Sequence, residues 1–405
     1  MLKTKRLNFL NLGKEINSTI LVLMLVVLVN ALSYSVILPL LYPYAIKYGL
    51  SKQQIGFLFA IFSFFQFIFT PVIGRLSDRF GRKPLLTLSL FGTSLSLLLF
   101  AIAPSAWVLF VARALDGVTG GNMSVAQAVI SDLYPSEKRA RFFGFLGGTW
   151  GVSFLVGPVL GGLLSRWGIS IPFFSAAFLA LLAAFLALVF LPETLKKHQT
   201  QTNPPSLSLN RLSLFLKQPF ILTILMVNFL NATITNLLMM SLQVIGVDRF
   251  SLTPEHLAYL MMILGVTQIF MQTYGISWWL KRWPNKVWLL EVAFWVQSVG
   301  LFAAGFMLNL WWFVVALTIF QVGLAPIRPV IAGVLSEATH DDRQGLILGV
   351  NQSLLSLGRV IGPLLAGFAL NAHLGLPLWL GSGVMFISVV VLFLAGKRFA
   401  PSLTE

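Results

Sequence analysis

Apolar runs long enough to cross a membrane, separated by short polar stretches, repeat along the whole chain. A helix of roughly 20 apolar residues, rising about 1.5 Å per residue, spans the hydrocarbon core of a bilayer. Twelve helices are predicted on this basis, near residues 17–44, 54–73, 85–104, 106–133, 142–165, 171–192, 219–244, 255–276, 287–308, 310–335, 346–370 and 375–396. The longest polar stretch, Glu193 to Lys217, holds Asn203-Pro204-Pro205 and a serine-rich run, and reads as a linker. It divides the chain into a first half at 1–192, a linker at 193–218 and a second half at 219–405. The halves echo one another. Gly144 is followed thirteen residues later by Gly157-Pro158, then Gly161-Gly162, and Gly349 at the same interval by Gly362-Pro363, then Ala366-Gly367.

Composition sharpens this reading. A chain that is 57% hydrophobic and 10% charged cannot hide its apolar surface inside one water-soluble core. Its net charge of +15 would suit nucleic acid only if the bases clustered on one accessible face, and instead they sit in short loops. Of the 28 lysines and arginines, Lys47, Lys52, Arg166 and Arg249 fall on one side of the predicted membrane. Arg113, Arg328 and Arg359 fall inside helices, and the rest lie on the other side. That asymmetry predicts a multi-pass protein of the plasma or inner membrane with both termini in the cytoplasm. The first apolar run follows several bases, lacks a small-residue cleavage site and exceeds a signal h-region, so it reads as a retained helix. The absence of cysteine excludes disulfides and thiolate chemistry, and His198, His256, His340 and His373 are too scattered to suggest a ligand set. No phosphate-binding G-x-x-x-x-G-K-[ST] loop and no H-E-x-x-H is present. Neither an enzyme nor a cofactor or metal site is expected, and any transport would draw on an ion gradient or the substrate's own.

The segment Gly74-Arg75-Leu76-Ser77-Asp78-Arg79-Phe80-Gly81-Arg82-Lys83 places five charges between predicted helices 2 and 3. Glycines allow a tight turn, the cations hold it out of the bilayer, and one acid among four bases can form a switchable contact. A loop serving orientation alone would need neither Asp78 nor the glycines. The segment resembles the G-x-x-x-D-R-x-G-R-K loop of the major facilitator superfamily. The resemblance implies a conformational latch built from Gly74, Asp78, Arg79, Gly81, Arg82, Lys83 and Asp132. In it Asp78 faces the N-terminal end of helix 11, Arg82 reaches Asp132, and both contacts hold the cytoplasmic side shut. The second half has no such loop, since Gly275 is followed by Trp278, Trp279, Lys281 and Arg282 without an acid.

On predicted helix 4, spacing brings Arg113, Asp116, Gly117, Gly120, Ser124 and Gln127 close to one face. The run resembles the R-x-x-x-G signature of the same superfamily, especially its tetracycline and multidrug efflux branch. Asp116 would lie about 15 Å deep, where a carboxylate is costly unless it pairs, protonates or meets water. It is either a permanent partner of Arg113 that stiffens the helix or a carboxyl whose proton occupancy changes with the transport cycle. Gly157, Pro158, Gly161 and Gly162 on helix 5 resemble the G-x-x-x-G-P-x-x-G-G signature of antiporter members, with Ser153 at the first glycine. Small residues at that spacing let helices approach closely, and proline adds a bend.

Asn228, Asn231 and Thr235 share a face of helix 7, with Asn30 and Tyr34 on helix 1 and Gln268 and Gln272 on helix 8. They are candidates for lining a substrate cavity or for interhelical hydrogen bonds. Arg328 and Glu291 are expected to pair or to reach the interface. Arg359 lies deeper and could meet an anionic or zwitterionic substrate or serve in a structural pair. Trp107, Trp167, Trp283, Trp311 and Trp312 fall at predicted helix ends and read as interfacial anchors.

Taken whole, the resemblance implies an all-α integral membrane fold of twelve transmembrane helices in two pseudo-symmetric six-helix bundles, with substrate bound between them. The activity it implies is secondary transport by alternating access, with proton-coupled efflux of amphiphilic drugs or related small molecules. A facilitator or antiporter for a sugar, metabolite or lipid is the alternative. The expected partners are a small-molecule substrate, a proton and the lipid bilayer, with no nucleic acid, and the expected state is a monomer.

Overall fold

The computed structural model describes residues 18–195, 218–282, 285–337, 339 and 344–399. Most of the predicted linker, the N-terminal bases, His198, Trp283 and His340 lie outside the described residues. Among those residues eleven helices are long and apolar enough to cross a membrane. They are α1 (Ser18–Tyr48), α2 (Lys52–Phe80), α3 (Arg82–Ala101), α5 (Arg141–Trp167), α6 (Ile171–Phe190) and α7 (Pro219–Asp248), then α8 (Pro254–Gly275), α9 (Lys286–Phe306), α10 (Leu310–Glu337), α11 (Ile347–Ala372) and α12 (Leu376–Ala395). The twelfth crossing, α4, is made of two shorter helices, Ala106–Thr119 and Asn122–Leu133. An even number of crossings places Ser18 and the end of α12 on one face, called here the near face; the loops after α1, α3, α5, α7, α9 and α11 lie on the far face.

Three predicted helices differ from what hydropathy suggests. α4 breaks at Gly120-Gly121, where the amide of Gln66 donates to the freed Gly120 carbonyl at 3.0 Å and a Cβ on Gly121 would press into Ile73. The expected single face from Arg113 to Gln127 is therefore interrupted. α10 is interrupted at Ala325 and Pro326, because proline lacks the N–H that would continue the ladder. α2 continues to Phe80, well past its predicted end at 73. A helix need not stop where its apolar run stops, and these seven residues carry α2 about 10 Å beyond the membrane-like segment. Gly74 is consequently helical, and only Gly81, at φ 106°, makes the turn into α3.

Packing inside the halves is matched: α1 lies on α5 and α6 as α7 lies on α11 and α12, and α3 lies on α6 as α9 lies on α12. The α6 sequence shows how a helix with no polar face finds its orientation. Ala176, Ala180, Ala183, Ala184 and Ala187 turn inward, allowing close approach to α1 and α3, while Phe178, Phe185 and Leu188 point outward. In lipid, small residues make the helix contacts and large apolar ones meet the acyl chains.

The halves meet through α2 against α11 and α5 against α8. Gly157 and Gly161 of α5 pack on Ser35 and Val36 of α1, whereas Gly162 packs across the halves on Ala258 and Glu255 of α8. The second half repeats this: Gly358 and Gly362 of α11 pack on α7, and Gly367 packs across on Lys52 and Gln53 of α2. An apolar core joins both halves toward the far face, where it includes Leu40, Leu41, Leu242 and Ile245. Polar contacts close that face. The Gln243 side chain accepts from the Tyr42 backbone N–H at 3.1 Å, and Tyr42 Oη donates to Asp248 at 2.8 Å. Lys52 pairs with Asp248 at 2.9 Å, and Arg166 pairs with Glu255. Toward the near face the helices part, and a Cβ added to Gly144, Gly147, Gly148 or Gly151 of α5, or to Gly349 of α11, would meet no atom within 4 Å.

Candidate functional site: a cleft between the bundles, open on the near face

The cleft separates an aromatic wall on the first half from arginines on the second. Tyr34 of α1 lies 6.0 Å from the rings of both Trp150 and Phe154 of α5, and 5.7 Å from Phe62 of α2. Opposite stands Arg359, half-buried and midway along α11, roughly 20 Å from either end at the helical rise per residue. Its electrostatic neighbours are Tyr34 and Arg328, the latter exposed just after the interruption in α10. Among the described residues neither arginine is in an ion pair. Arg328 and Glu291, each expected to pair or to reach the interface, form no ion pair among the described residues; Arg328 is exposed, and Glu291 is half-buried in the first turns of α9.

Asp116 is 4% exposed and turns into the first bundle, away from the open cleft. Arg113 Nη1 lies 3.4 Å from its Oδ2, and Thr93 and Ser96 of α3 are its polar neighbours on the adjacent helix. The Arg113 guanidinium sits over the rings of Phe62 and Phe100, at 5.2 and 5.8 Å from their centroids, a cation–π environment that offsets part of its desolvation. Its Nε has no hydrogen-bond partner among the described residues. Tyr34 is within electrostatic reach of Arg113 and Asp116 in its own bundle and of Arg359 in the other.

The other candidate cavity residues divide. Asn30 is buried and accepts from Asn122 of α4 at 3.3 Å, a tie within the first bundle. Asn228 donates to Asn351 of α11 at 2.7 Å, and the Thr235 hydroxyl donates back to the Asn231 carbonyl. Asn231 and Gln268 each keep a buried amide oxygen without a partner among the described residues, and Gln272 is exposed where α8 adopts π-helical turns at Met271–Gly275.

At the near face Arg82 is the hub. Its Nε donates to Asp132 at 2.9 Å, and its Nη1 donates to Ser77 at 2.8 Å and pairs with Asp78 at 2.5 Å. All of these partners belong to the first half; with the cleft open, Asp78 pairs with Arg82 rather than with α11. Arg79 lies over its neighbour Phe80 at 5.2 Å. Glu193, the first residue of the predicted linker, also belongs to this site. Its carboxylate accepts from the backbone N–H groups of Arg82 and Lys83 at 2.9 and 3.2 Å, capping α3. No local pattern in the sequence marks a cap supplied from 110 residues away.

Two matched six-helix bundles, a central cleft reaching one face and a sealed opposite face define a membrane transporter of the alternating-access class. The Major Facilitator Superfamily profile matches residues 23–294 and 227–404, and the chain belongs to that family. It is 29% identical over 388 residues to the class H tetracycline resistance protein of Pasteurella multocida, covering 93% of this chain and 95% of that one. It is 27% identical over 391 residues to the quinolone resistance protein NorA of Staphylococcus aureus, covering 95% and 98%. Its fold is similar to the structure of a bacterial homolog to the human lysosomal transporter Spinster in an inward-facing, unoccupied conformation. The TM-score there is 0.76 at 17% identity, covering 95% of this chain and 96% of that one.

Proposed function

We propose that the protein is a secondary transporter of the cell membrane that expels amphiphilic, drug-like molecules in exchange for protons, acting as a monomer. The observation that carries this reading is the cleft, walled by Tyr34, Trp150 and Phe154, open on the near face and sealed by cross-half contacts on the far face. The cation asymmetry of the loops supports taking the near face as the cytoplasmic one, and on that reading the cleft is open inward, ready to load. Similarity to tetracycline and quinolone resistance proteins supports export as the direction. The halves at 1–192 and 219–405 rock about the far-face seam, with 193–218 as their linker.

Asp116 carries the proton in this scheme, and Arg113 is the partner that holds its carboxylate when the proton is absent. Rocking moves α3 and α4 relative to the cleft, and Tyr34 bridges the pair to substrate. Purified protein in liposomes under an imposed pH gradient, assayed with dyes, antibiotics, sugars and lipids, tests the proposal. Uphill movement of amphiphilic dyes or antibiotics that collapses with the gradient is the expected result, and Asp116→Asn should abolish it while sparing downhill exchange. Uphill transport at the normal rate by Asp116→Asn would remove Asp116 from the coupling role; transport of sugars alone would overturn the substrate class.

A further inference from the structure

The charge of the cleft points to the class of substrate. A guanidinium at mid-membrane depth is costly unless it is paired, hydrated or bound to a ligand. Arg113 meets this requirement within its own bundle, through Asp116, Phe62 and Phe100. Arg359 does not: its electrostatic neighbours are a tyrosine and a second arginine, and no acid is among them. Two guanidinium groups within electrostatic range repel each other, so Arg359 and Arg328 together favour an anion between them. The acids at the far face are committed to the seal, Asp248 to Lys52 and Tyr42, and Glu255 to Arg166 and Tyr259. Asp78 and Asp132 are held by Arg82. Across from the arginines, Trp150 and Phe154 stack at 5.5 Å beside Tyr34, an apolar and polarisable surface that fits an aromatic ring.

We propose that the cleft is selective for organic anions, with a substrate carboxylate or sulfonate held by Arg359 and Arg328 and its aromatic body stacked on Tyr34, Trp150 and Phe154. The proposal rests on the reading of the cleft as the transport site, but it concerns recognition and needs neither a direction of transport nor a coupled proton. A planar guanidinium fork suits a carboxylate better than an ammonium does, so Arg359 should tolerate lysine only in part.

The test is equilibrium binding to the purified full chain in phosphatidylcholine nanodiscs. The probes are radiolabelled 1-naphthylacetate, the uncharged 1-naphthylacetamide and the cation tetraphenylphosphonium. The carboxylate is expected to bind saturably and more tightly than the other two. Arg359→Gln should weaken it about tenfold and Arg328→Gln severalfold, the scale of a lost charge-assisted contact. Arg359→Lys should fall between, and Lys47→Gln, an exposed far-face change outside the cleft, should match wild type. Acetamide binding should be the same in all variants, which separates charge recognition from a damaged fold. No saturable carboxylate binding, equal loss of carboxylate and amide in Arg359→Gln, or preference for the cation would each overturn the proposal. Displacement of naphthylacetate by nanodisc phosphatidylglycerol at the same arginines would assign the site to a lipid headgroup and overturn it too. If the anion binds as expected and the liposomes show no export, the proposed function fails and this inference stands.

Discussion

Lys52 and Asp248 stand 2.9 Å apart on opposite halves of the protein, the first at the start of α2 and the second at the end of α7. Both are about one-quarter exposed, so the pair sits at the rim of the far-face seal. An ion pair in this setting is worth about 0.2–1 kcal/mol, enough to shift a poised two-state equilibrium by up to about fivefold. Lys52→Met and Asp248→Asn are each expected to favour the state open on the far face, Asp248→Asn more strongly because Tyr42 loses its charged acceptor. The chain has no cysteine, so a single Gln53→Cys reporter can be labelled cleanly, and faster maleimide labelling in these backgrounds is the readout. Equal labelling rates would show that the pair does not hold the seal.

Gly162 and Gly367 are the small-residue hinges of that seal. A Cβ on Gly162 would lie 2.6 Å from Ala258 Cβ and 2.9 Å from Glu255 Cα, and one on Gly367 would lie 2.8 Å from the Lys52 carbonyl oxygen. Each alanine replacement should cost the closed seam about 1–3 kcal/mol by overpacking, biasing the protein toward the far-open state. Gly148→Ala, which faces open space, should have no such effect. The same labelling assay distinguishes them.

The Arg113–Asp116 pair lies almost wholly out of water. Removing one member of a buried pair leaves the other charge uncompensated, a loss of about 3–5 kcal/mol. Asp116→Asn and Arg113→Met should each lower the thermal unfolding temperature of purified protein, while the double change Arg113→Met with Asp116→Leu should recover much of it. Full recovery of stability without recovery of uphill transport would locate coupling in the same pair. No loss in either single variant would mean that the pair does not stabilise the bundle.

Glu193 and Gly81 act together at the start of α3. Glu193→Ala should cost about 1 kcal/mol through loss of the cap, and Glu193→Gln, which keeps an acceptor, should cost less. Gly81→Ala meets both an extended positive-φ backbone that is essentially confined to glycine, worth about 1–3 kcal/mol, and the Glu193 carboxylate that leans against the site. Thermal unfolding of the three variants should rank them in that sense, with Gly81→Ala the least stable.

Hydropathy reached the crossings because each buries or exposes an entire apolar run, and the glycine repeat reached the equivalence of α5 and α11 because each places small residues at the corresponding contacts of its half. Neither could locate the ends of α2, since the charged turns from Gly74 to Phe80 are helical without being apolar. The interruption at Gly120-Gly121 was written in the sequence as two adjacent glycines, but only the Gly120 carbonyl, which accepts from the Gln66 amide, shows why the backbone opens there. Periodicity alone could not tell which polar residues face the cleft. Asn30 points into the bundle because Asn122 bonds it there, and Asp116 lies beside Thr93 and Ser96, and those neighbours come from other helices. That Arg328 and Arg359 come within electrostatic range of each other likewise depends on how the second segment of α10 packs on α11.

With Asp116 neutralised inside its bundle, the positive charge that remains near Arg359 rides on the moving part of the protein. An empty cleft would then reorient carrying positive charge, whereas a cleft holding an anion would cross with that charge balanced. Membrane voltage would act on the two strokes unequally. Each elementary charge moved through the full field corresponds to about 2.3 kcal/mol per 100 mV, so an interior-negative potential would itself help drive an anion outward. The transport cycle would then generate a measurable current, and its speed would respond to voltage even where both sides of the membrane are held at the same pH.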